Sequence, residues 1–349
     1  QTGMTATQIK LAGSASEDDD YYNTWIIHIV SGTGAGQTRA ITDYTGVTKV
    51  ADINEEWETQ PDNTSVYEIY VNYGAQVEKL IEWPRNDGSR VLLAIIGTTL
   101  CKINDDGTKT EIITLDSPDI GYFFLQDKFY FTGKENETDN YWYYDGTEVK
   151  EVTPKDDETN DLAPIKRCRK FIWNPRSFRI HAALDMEDKA ALYYSEPNDP
   201  TFFKQTSKLY PTTADGPVIS LDLFGDALIV IYQGSIWAWT GSSPEADAEW
   251  KKIPVGQGTI ATGSPALTPG SLTFLGQGGI FSISPGLLDY NVVLIAGDEL
   301  VRNRTKDKVS SIIRSIAHPE TAVGLFDKVN ERYMLAYGDD ADDTRNNKV

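Results

Sequence analysis

Short segments of alternating apolar and polar residues, separated by turns, recur along most of this chain and constrain its fold more than any other feature. In the clearest copy these segments are Val218 to Phe224, Ala227 to Tyr232, Ser235 to Thr240 and Trp250 to Pro254. Alternation with a period of two is typical of half-buried strands, and short turns between such runs are typical of antiparallel hairpins. The pattern predicts an all-β protein.

About six copies of the pattern follow one another, each about 35 to 50 residues long with up to four strands, a period typical of propeller blades. Their first clear strands begin at Val91, Gly121, Lys170, Val218, Ser271 and Ala322. We therefore predict a β-propeller of about six blades over residues 76–349. The last blade is expected to be cut off at the C-terminus, because residues 346–349 read as the entry to a partner strand and stopping there leaves an open sheet edge. We accordingly expect a longer polypeptide.

Residues 1–75 show a smaller pattern of the same kind. Strand-like runs are separated by glycine-containing turns, and an acidic loop precedes them; the runs are 25–30, 37–41, 47–53 and 65–71, the turns 32–36 and 44–46, and the loop 16–20. This part is predicted to be a small antiparallel β module.

One segment departs from the strand pattern. Val309, Ile312, Ile313 and Ile316 have the spacing of an apolar stripe on a helix. We predict a short helix over residues 298–316, inserted in the fifth blade and packed over a sheet.

The charge balance excludes one class of function. The chain has 52 acidic and 32 basic residues, a formal net charge of −20, and 40% hydrophobic residues. That hydrophobic content can build a core, whereas a protein that grips nucleic acid needs a basic surface to neutralise phosphates. No apolar run approaches the roughly 18 residues that span a bilayer.

Metal and disulfide chemistry have little support in the sequence. The two cysteines, Cys101 and Cys168, lie in or beside strand-like runs and are predicted to be packing residues. His28, His181 and His318 have no metal-ligand spacing from one another. The acid clusters at 18–20, 156–158 and 339–343 do not match a calcium-binding loop and are predicted to be solvated loops.

The candidate catalytic and cofactor-binding motifs lack the neighbouring residues or elements that their chemistry requires. The run Gly32-Thr33-Gly34-Ala35-Gly36 is followed by a strand-like run, whereas a phosphate-binding loop needs a helix there. Ser195 has no nucleophile-elbow sequence around it and is predicted to end a strand. The stretch 104–110 lacks the serine and tryptophan of the aspartate-box repeat found in sialidases. We therefore predict no catalytic, cofactor-binding or metal-binding residue, no cofactor, and no enzyme.

Two parts of the chain resemble a known protein family. The order of a Tyr-Tyr-Ser strand with a proline turn, a Ser-Ile-Trp hairpin and a Gly-Gly-Ile hairpin is similar to the β-propeller of phage tail proteins, namely the nozzle (tail tubular B type) and tail-hub proteins of short-tailed phages. It is carried by residues 191–200, 224–230, 235–237 and 276–281. The N-terminal module is similar to small β modules of phage virion proteins, through residues 32–39, Trp57, Pro61, Asp62, Thr64, Ser65 and Tyr67.

The resemblance implies a structural protein of the virion, located in the phage tail. It implies a homo-hexameric ring beside portal, adaptor and tail-fibre proteins, through which DNA passes during ejection without specific binding, and no small-molecule substrate. A net charge of −20 is consistent with the wall of such a DNA channel, because it repels DNA over about 8 to 10 Å in ordinary salt. The alternative is a tail-associated propeller that binds or degrades glycans, since fold alone does not fix function.

Overall fold

The computed structural model describes residues 4–133, 141–153, 159–185, 187–246, 249–255, 257–286, 290–297, 312–313 and 315–341. The chain divides into two compact units, one of residues 1–83 and 89–114, the other of residues 84–88 and 115–349. The domain boundary predicted after residue 75 stays a prediction. Across the described ranges, no helix has the length and apolar character needed to cross a membrane.

The first unit begins with a five-stranded antiparallel sheet in the spatial order β1-β4-β3-β2-β5. Its strands are β1 (Gln8–Lys10), β2 (Ile26–Ser31), β3 (Thr38–Thr45), β4 (Val50–Ile53) and β5 (Val66–Tyr70). Ile27 and Ile29 are buried in one core with Ile41 and Trp57, whereas Val30 is exposed. The predicted small β module is thus confirmed. The sequence analysis missed β1, which has three residues and is too short to show a period.

A four-stranded antiparallel sheet follows in the first unit, with its strands side by side in chain order. They are β6 (Val77–Pro84), β7 (Arg90–Ile96), β8 (Thr99–Ile103) and β9 (Lys109–Thr114). Ala94, Ile96 and Cys101 are buried together on this sheet.

The second unit repeats this up-and-down sheet four times and ends on a two-stranded one. The first sheet consists of β10 (Tyr122–Leu125), β11 (Lys128–Phe131), β12 (Trp142–Tyr144) and β13 (Val149–Glu151), and the second of β14 (Lys170–Asn174), β15 (Arg179–Ala183), β16 (Leu192–Tyr194) and β17 (Lys208–Leu209). The third consists of β18 (Val218–Phe224), β19 (Ala227–Tyr232), β20 (Ile236–Trp239) and β21 (Lys251–Ile253), and the fourth of β22 (Ala266–Thr268), β23 (Ser271–Gly276), β24 (Gly279–Pro285) and β25 (Tyr290–Gly297). The two-stranded sheet pairs β26 (Val323–Asp327) with β27 (Arg332–Ala336). A short helix, α1 (Ala163–Arg167), precedes β14.

Successive sheets of the second unit pack face to face, and β19 shows this directly because all six of its residues are buried. Leu228 packs in one cluster with Leu192 of the preceding sheet. Ile229 packs in another cluster with Phe274 of the following sheet. A strand covered on both faces needs apolar residues at every position, which explains the unbroken apolar run from Ala227 to Tyr232.

The first strands of these sheets are also neighbours. β10 lies against β14, β14 against β18, and β22 against β26. Four-stranded antiparallel sheets that stack in chain order with their first strands adjacent are blades of a β-propeller. The predicted all-β propeller fold is confirmed: the second unit contains four four-stranded sheets and a two-stranded one, and the first unit contains a further four-stranded sheet with the same up-and-down strand order.

Several hairpins close on the same Asp-x-Thr turn. In one, both the backbone N–H and the hydroxyl of Thr108 donate to Oδ1 of Asp106, at 2.9 and 2.6 Å. In another, Thr147 donates in the same way to Asp145, at 2.8 and 2.7 Å. These bonds, with a third from the backbone N–H of Glu148, lower the pKa of Asp145 to about 2. The side chain thus replaces backbone hydrogen bonds that the turn lacks.

Part of the sequence prediction lies outside the described residues. This holds for residues 298–311 and 314 of the predicted helix and for the C-terminal run 346–349. Ile312 and Ile313 are helical, and Ile313 and Ile316 pack on a small core beside Leu275. The sequence analysis missed the eight-residue strand β6 and the short elements α1, β17 and β22.

Candidate functional site

Ser195 directly follows β16 and is fully buried. Its hydroxyl donates to the carbonyl oxygen of Glu196 at 2.8 Å and accepts from the backbone N–H of Ile180 at 3.0 Å. The hydroxyl therefore joins β15 to the turn after β16.

Both cysteine thiols are buried and bonded to backbone. Cys101 donates to the carbonyl oxygen of Thr99 at 3.7 Å, and Cys168 to that of Pro164 at 3.4 Å. Burial raises the pKa of both thiols. The reactive thiolate is accordingly disfavoured at each position.

Two of the three histidines pair with a carboxylate near the surface. Nδ1 of His28 lies 3.2 Å from Oε1 of Glu68, its partner across β2 and β5. Nδ1 of His318 lies 3.2 Å from Oε1 of Glu320, and its Nε2 lies 3.1 Å from the carbonyl oxygen of Ala341. The Ala341 carbonyl and the Glu320 carboxylate together raise the pKa of His318.

His181, on β15, is fully buried. Its ring lies 5.7 Å from that of Trp239, and Nε2 lies 3.4 Å from the hydroxyl of Ser177. Nδ1 has no hydrogen-bond partner. Burial, with the nearby Arg179 charge, lowers the pKa of His181 to about 3. This imidazole is neutral at physiological pH.

The glycine-rich run at 32–36 forms a turn. Gly32, Gly34 and Gly36 all have positive φ, and a Cβ at Gly32 would lie 2.2 Å from the carbonyl oxygen of Thr64. The run leads into strand β3. It therefore lacks the helix N-terminus that a phosphate-binding loop needs.

The structure describes some of the residues in the three acid clusters. Asp19 accepts from the backbone N–H of Gly46 at 2.8 Å, and Asp20 from the amide of Asn23 at 2.8 Å. Residues 156–158, 342 and 343 lie outside the described ranges. Within those ranges, no group of three or more His, Cys, Asp and Glu side chains is placed to hold a metal ion.

A charge network joins three chain segments around the buried Arg179. This guanidinium donates from Nη1 to the carbonyl oxygen of Ser195 at 2.6 Å, and its Nη2 lies 3.2 Å from Oε1 of Glu245. It also lies over the ring of Tyr194, 5.4 Å from the centroid. The network fastens the loop after β20 to β15.

The titratable pair Lys170 and Asp222 lies on two adjacent first strands, β14 and β18. Lys170 donates from Nζ to the carbonyl oxygen of Thr262 at 2.8 Å. Burial raises the pKa of Asp222 to about 6, against the opposing effects of Lys170 and of a hydrogen bond from Ser220. Burial likewise lowers the pKa of Lys170.

A carboxyl with a pKa near neutrality can exchange its proton under physiological conditions, so this pair is the best candidate site for pH-dependent chemistry among the described residues. The sequence analysis missed it. The available signal was one charged residue inside an apolar strand, as in Leu221-Asp222-Leu223.

The arginines share one property that bears directly on function. Every arginine in the described ranges forms an ion pair with a carboxylate within 4 Å. The pairs are Arg39–Glu55, Arg85–Asp127, Arg90–Glu82, Arg167–Asp185, Arg169–Asp119, Arg176–Asp226, Arg179–Glu245 and Arg332–Asp327. Each of these guanidinium groups therefore has a carboxylate of the protein beside it, and the surplus of acid sets the field around the chain.

Comparison with known proteins finds similar solved structures but no matching sequence family. No protein-family model and no curated protein sequence matches the chain. Among solved structures it is similar to PorZ, a surface component of the type-IX secretion system of Porphyromonas gingivalis (TM-score 0.40, 12% identity), covering 83% of this chain and 34% of that one. It is also similar to virginiamycin B lyase from Staphylococcus aureus (TM-score 0.42, 15% identity), covering 67% of this chain and 75% of that one. The Neurospora crassa Pan2 WD40 domain is similar as well (TM-score 0.41, 12% identity), with 75% of this chain and 76% of that one covered. The chain thus spans about a third of the length of PorZ.

Proposed function

We propose that this chain is a structural protein of a phage tail. In this proposal it assembles as a homo-hexameric ring, contacts portal, adaptor and tail-fibre proteins, and extends the channel through which DNA leaves. The pairing of every described arginine with a carboxylate carries the proposal. DNA binding requires cationic groups that can replace the counterions of phosphates, and each additional contact slows a moving duplex.

The sheets suit a load-bearing wall. Blades that bury both faces of their strands, as β19 does, have few exposed edges and little freedom to deform. The ion pair of Arg167 with the buried Asp185, and that of the buried Arg179 with the partly exposed Glu245, add connections between strands and loops. This rigidity supports a mechanical role.

The assembly is tested on the particles themselves. Immunogold electron microscopy with antibodies to this chain should label phage tails, and quantitative mass spectrometry should count about six copies per particle, as the resemblance implies. Purified full-length protein should form rings visible by negative-stain microscopy. A protein absent from particles, and monomeric at all concentrations, would contradict the proposal.

A second candidate function, glycan binding, is favoured by one cavity in the second unit. This cavity of about 460 Å³ is lined by Trp250, Tyr290, Glu249 and Lys251, with Ala238, Thr240 and Gly241. Its volume is within the range of small-molecule sites, about 300–1,000 Å³. Aromatic faces with hydroxyl, carboxylate and ammonium groups suit a polyhydroxylated ligand.

Glycan-array binding tests this alternative. Wild-type protein should bind a host surface glycan, and Trp250→Ala should abolish that binding. The variant Trp142→Ala, in another sheet, is the matched control and should bind as wild type does. Absence of wild-type binding on a broad array would exclude this candidate.

A further inference from the structure

The last sheet of the second unit, β26–β27, has two strands, whereas each of the four sheets before it has four. β26 lies against β22 of the preceding sheet. Within the described ranges, no strand pairs with the other edge of β27. Because an unpaired strand edge presents backbone N–H and C=O groups, it is a template on which a further strand can add.

The backbone groups that point to this edge follow from the pairing of β26 with β27. The N–H of Gly324 donates to the carbonyl oxygen of Gly263 at 2.9 Å and therefore points away from β27. Gly324 is opposite Leu335, and Phe326 is opposite Tyr333. Since bonded and non-bonded pairs alternate along an antiparallel ladder, neither pair is joined by hydrogen bonds. The N–H and C=O groups of Leu335 and Tyr333 consequently point to the free edge of β27.

An apolar cavity of about 300 Å³ lies along the same edge. It is lined by Arg332, Tyr333, Met334, Leu335 and Tyr337, and by Ile280, Ile312, Ile313 and Ile316. Successive side chains of a strand point to opposite faces of its sheet, so a cavity that contacts four consecutive residues of β27 lies beside its backbone. We call this cavity the β27 groove.

The isoleucine wall of the β27 groove is held in place. Ile313 and Ile316 pack on the small core already described. The N–H of Ala317 donates to the carbonyl oxygen of Gly338 at 2.9 Å, which ties this wall to the chain just after β27. Ile312 is 41% exposed and lies at the open side. Because the wall is fixed in advance, a segment that enters the groove loses little affinity to ordering of the protein.

The four complete sheets of the second unit show which residues suit the next position in such a sheet. Their third strands, β12, β16, β20 and β24, each contain an aromatic residue: Trp142, Tyr193, Trp237 and Phe281 are examples. In β16 all three residues are buried. A third strand beside β27 should therefore be a short extended segment of aromatic and branched aliphatic residues.

We propose that the free edge of β27 binds an extended segment of a partner polypeptide, which adds to the sheet as a third, antiparallel strand. The segment bonds to the backbone of Tyr333 and Leu335 and places aromatic or branched aliphatic side chains in the β27 groove. In strand addition the main chain supplies affinity, and pockets for alternate side chains supply specificity. The inference concerns one sheet and does not depend on the proposed function in the tail.

The first test uses a peptide that copies a third strand of this chain. The fluorescein-labelled peptide Lys-Ser-Ile-Trp-Ala-Trp-Thr-Lys reproduces residues 235–240 between two lysines. By fluorescence anisotropy it should bind the full chain with a dissociation constant at or below about 100 µM. Absence of binding up to about 1 mM would overturn the proposal.

Two isomers of the peptide separate strand addition from simple apolar binding. One carries N-methyl groups on Ile and Ala, the other on the two Trp residues, so each loses the N–H groups of one side of the strand. One isomer should bind at least about tenfold more weakly than the unmodified peptide, since two hydrogen bonds are lost, and the other within about threefold. Affinities of both isomers equal to that of the unmodified peptide would exclude strand addition.

Hydrogen exchange of single amides, followed by NMR on the full chain, shows whether the edge is free. Without peptide, the amides of Tyr333 and Leu335 should exchange at least about tenfold faster than that of Met334, which points to β26. Saturating peptide should slow both by about tenfold or more. Protection of Tyr333 and Leu335 in the free chain would mean that another segment of this chain covers the edge, and it would overturn the proposal.

A variant then locates the binding in the β27 groove. Ile312→Gln places a polar group in the groove and should weaken binding of the unmodified peptide about tenfold. Leu267→Gln is the matched control, because Leu267 is 49% exposed but lies on β22, outside the lining of the groove. Equal affinity of Ile312→Gln and wild type would contradict binding at this position.

Discussion

Arg167 holds the carboxylate of Asp185 inside the protein through two parallel hydrogen bonds. Nε lies 2.8 Å from Oδ1 and Nη2 lies 3.1 Å from Oδ2, and the Asp185 side chain is 0% exposed. Burial alone would raise the pKa of Asp185, but hydrogen bonds from Arg167, the Glu187 N–H and the Tyr193 hydroxyl outweigh it and lower the pKa. The carboxylate therefore stays charged in the core.

Removing the Arg167 guanidinium should destabilise the protein, because it leaves the buried carboxylate of Asp185 without its charged partner. We expect Arg167→Gln to lower the free energy of unfolding by about 3 kcal/mol. Urea denaturation followed by tryptophan fluorescence measures this. The control is Arg90→Gln, which breaks the pair with Glu82 at a side chain that is 72% exposed and should cost under about 1 kcal/mol. Equal losses in both variants would show that the Asp185 pair is not buried in solution.

His181 should make the protein sensitive to acid. Its folded pKa of about 3 lies below the ordinary 6.5, so the unfolded chain binds this proton first. The stability that the neutral His181 contributes is fully present above pH 6.5 and is lost as the pH falls toward 3. The free energy of unfolding then falls by up to about 1.4 kcal/mol per pH unit.

We expect His181→Leu to keep an apolar contact with Trp239 and to remove this slope. Denaturation at pH 7.0, 6.0 and 5.0 gives the comparison, with His28→Leu on the exposed pair with Glu68 as control. A variant that loses stability with acid as steeply as wild type would contradict the burial of this imidazole.

Asp222 should have the opposite dependence on pH. Its pKa is raised from 3.8 to about 6, so between these values the folded state binds more protons and stability falls as the pH rises. Asp222→Asn should raise stability at pH 8 by about 1–2 kcal/mol, and the gain should vanish below pH 4. The control Asp226→Asn removes a carboxylate that is 88% exposed and should be neutral at every pH. A gain independent of pH would exclude ionisation as its cause.

Freeing two arginines should create measurable affinity for DNA. Glu82→Gln with Asp226→Asn releases Arg90 and Arg176. In 50 mM salt this double variant should bind duplex DNA about 3- to 10-fold more tightly than wild type, because two guanidinium groups become available to phosphates. Electrophoretic mobility shift and fluorescence anisotropy give the affinities.

The control for this experiment has the same net charge but releases no arginine. Asp18→Asn with Asp105→Asn changes two exposed acids that pair with none of the described arginines. If this control bound DNA as tightly as the double variant, net charge alone would explain the effect and the pairing of arginines would not matter.

The repeating strands were predictable from sequence because the relevant contacts are local. Hairpins such as β18–β19 combine an apolar run with a glycine turn at Gly225, and both signals lie within a few residues. Elements of two or three residues, such as β17 and β22, carry too few positions to show a period.

The buried charges were not predictable for a different reason. Arg179 and Glu245 are 66 residues apart in sequence, and nothing in either neighbourhood indicates the partner. The same is true of the raised pKa of Asp222, which depends on how neighbouring strands cover its carboxyl. Such features arise from the stacking of sheets, and a single sequence encodes that stacking only through the assembled fold.

Strand β19, with neighbours against both of its faces, constrains how this protein can evolve. A larger or smaller side chain at Leu228 alters the fit to one adjoining sheet, and a change at Ile229 alters the fit to the other. Tolerated substitutions should therefore occur in compensating pairs across adjacent sheets. In a deep collection of relatives, covariation would connect neighbouring blades through this strand before it connected distant ones.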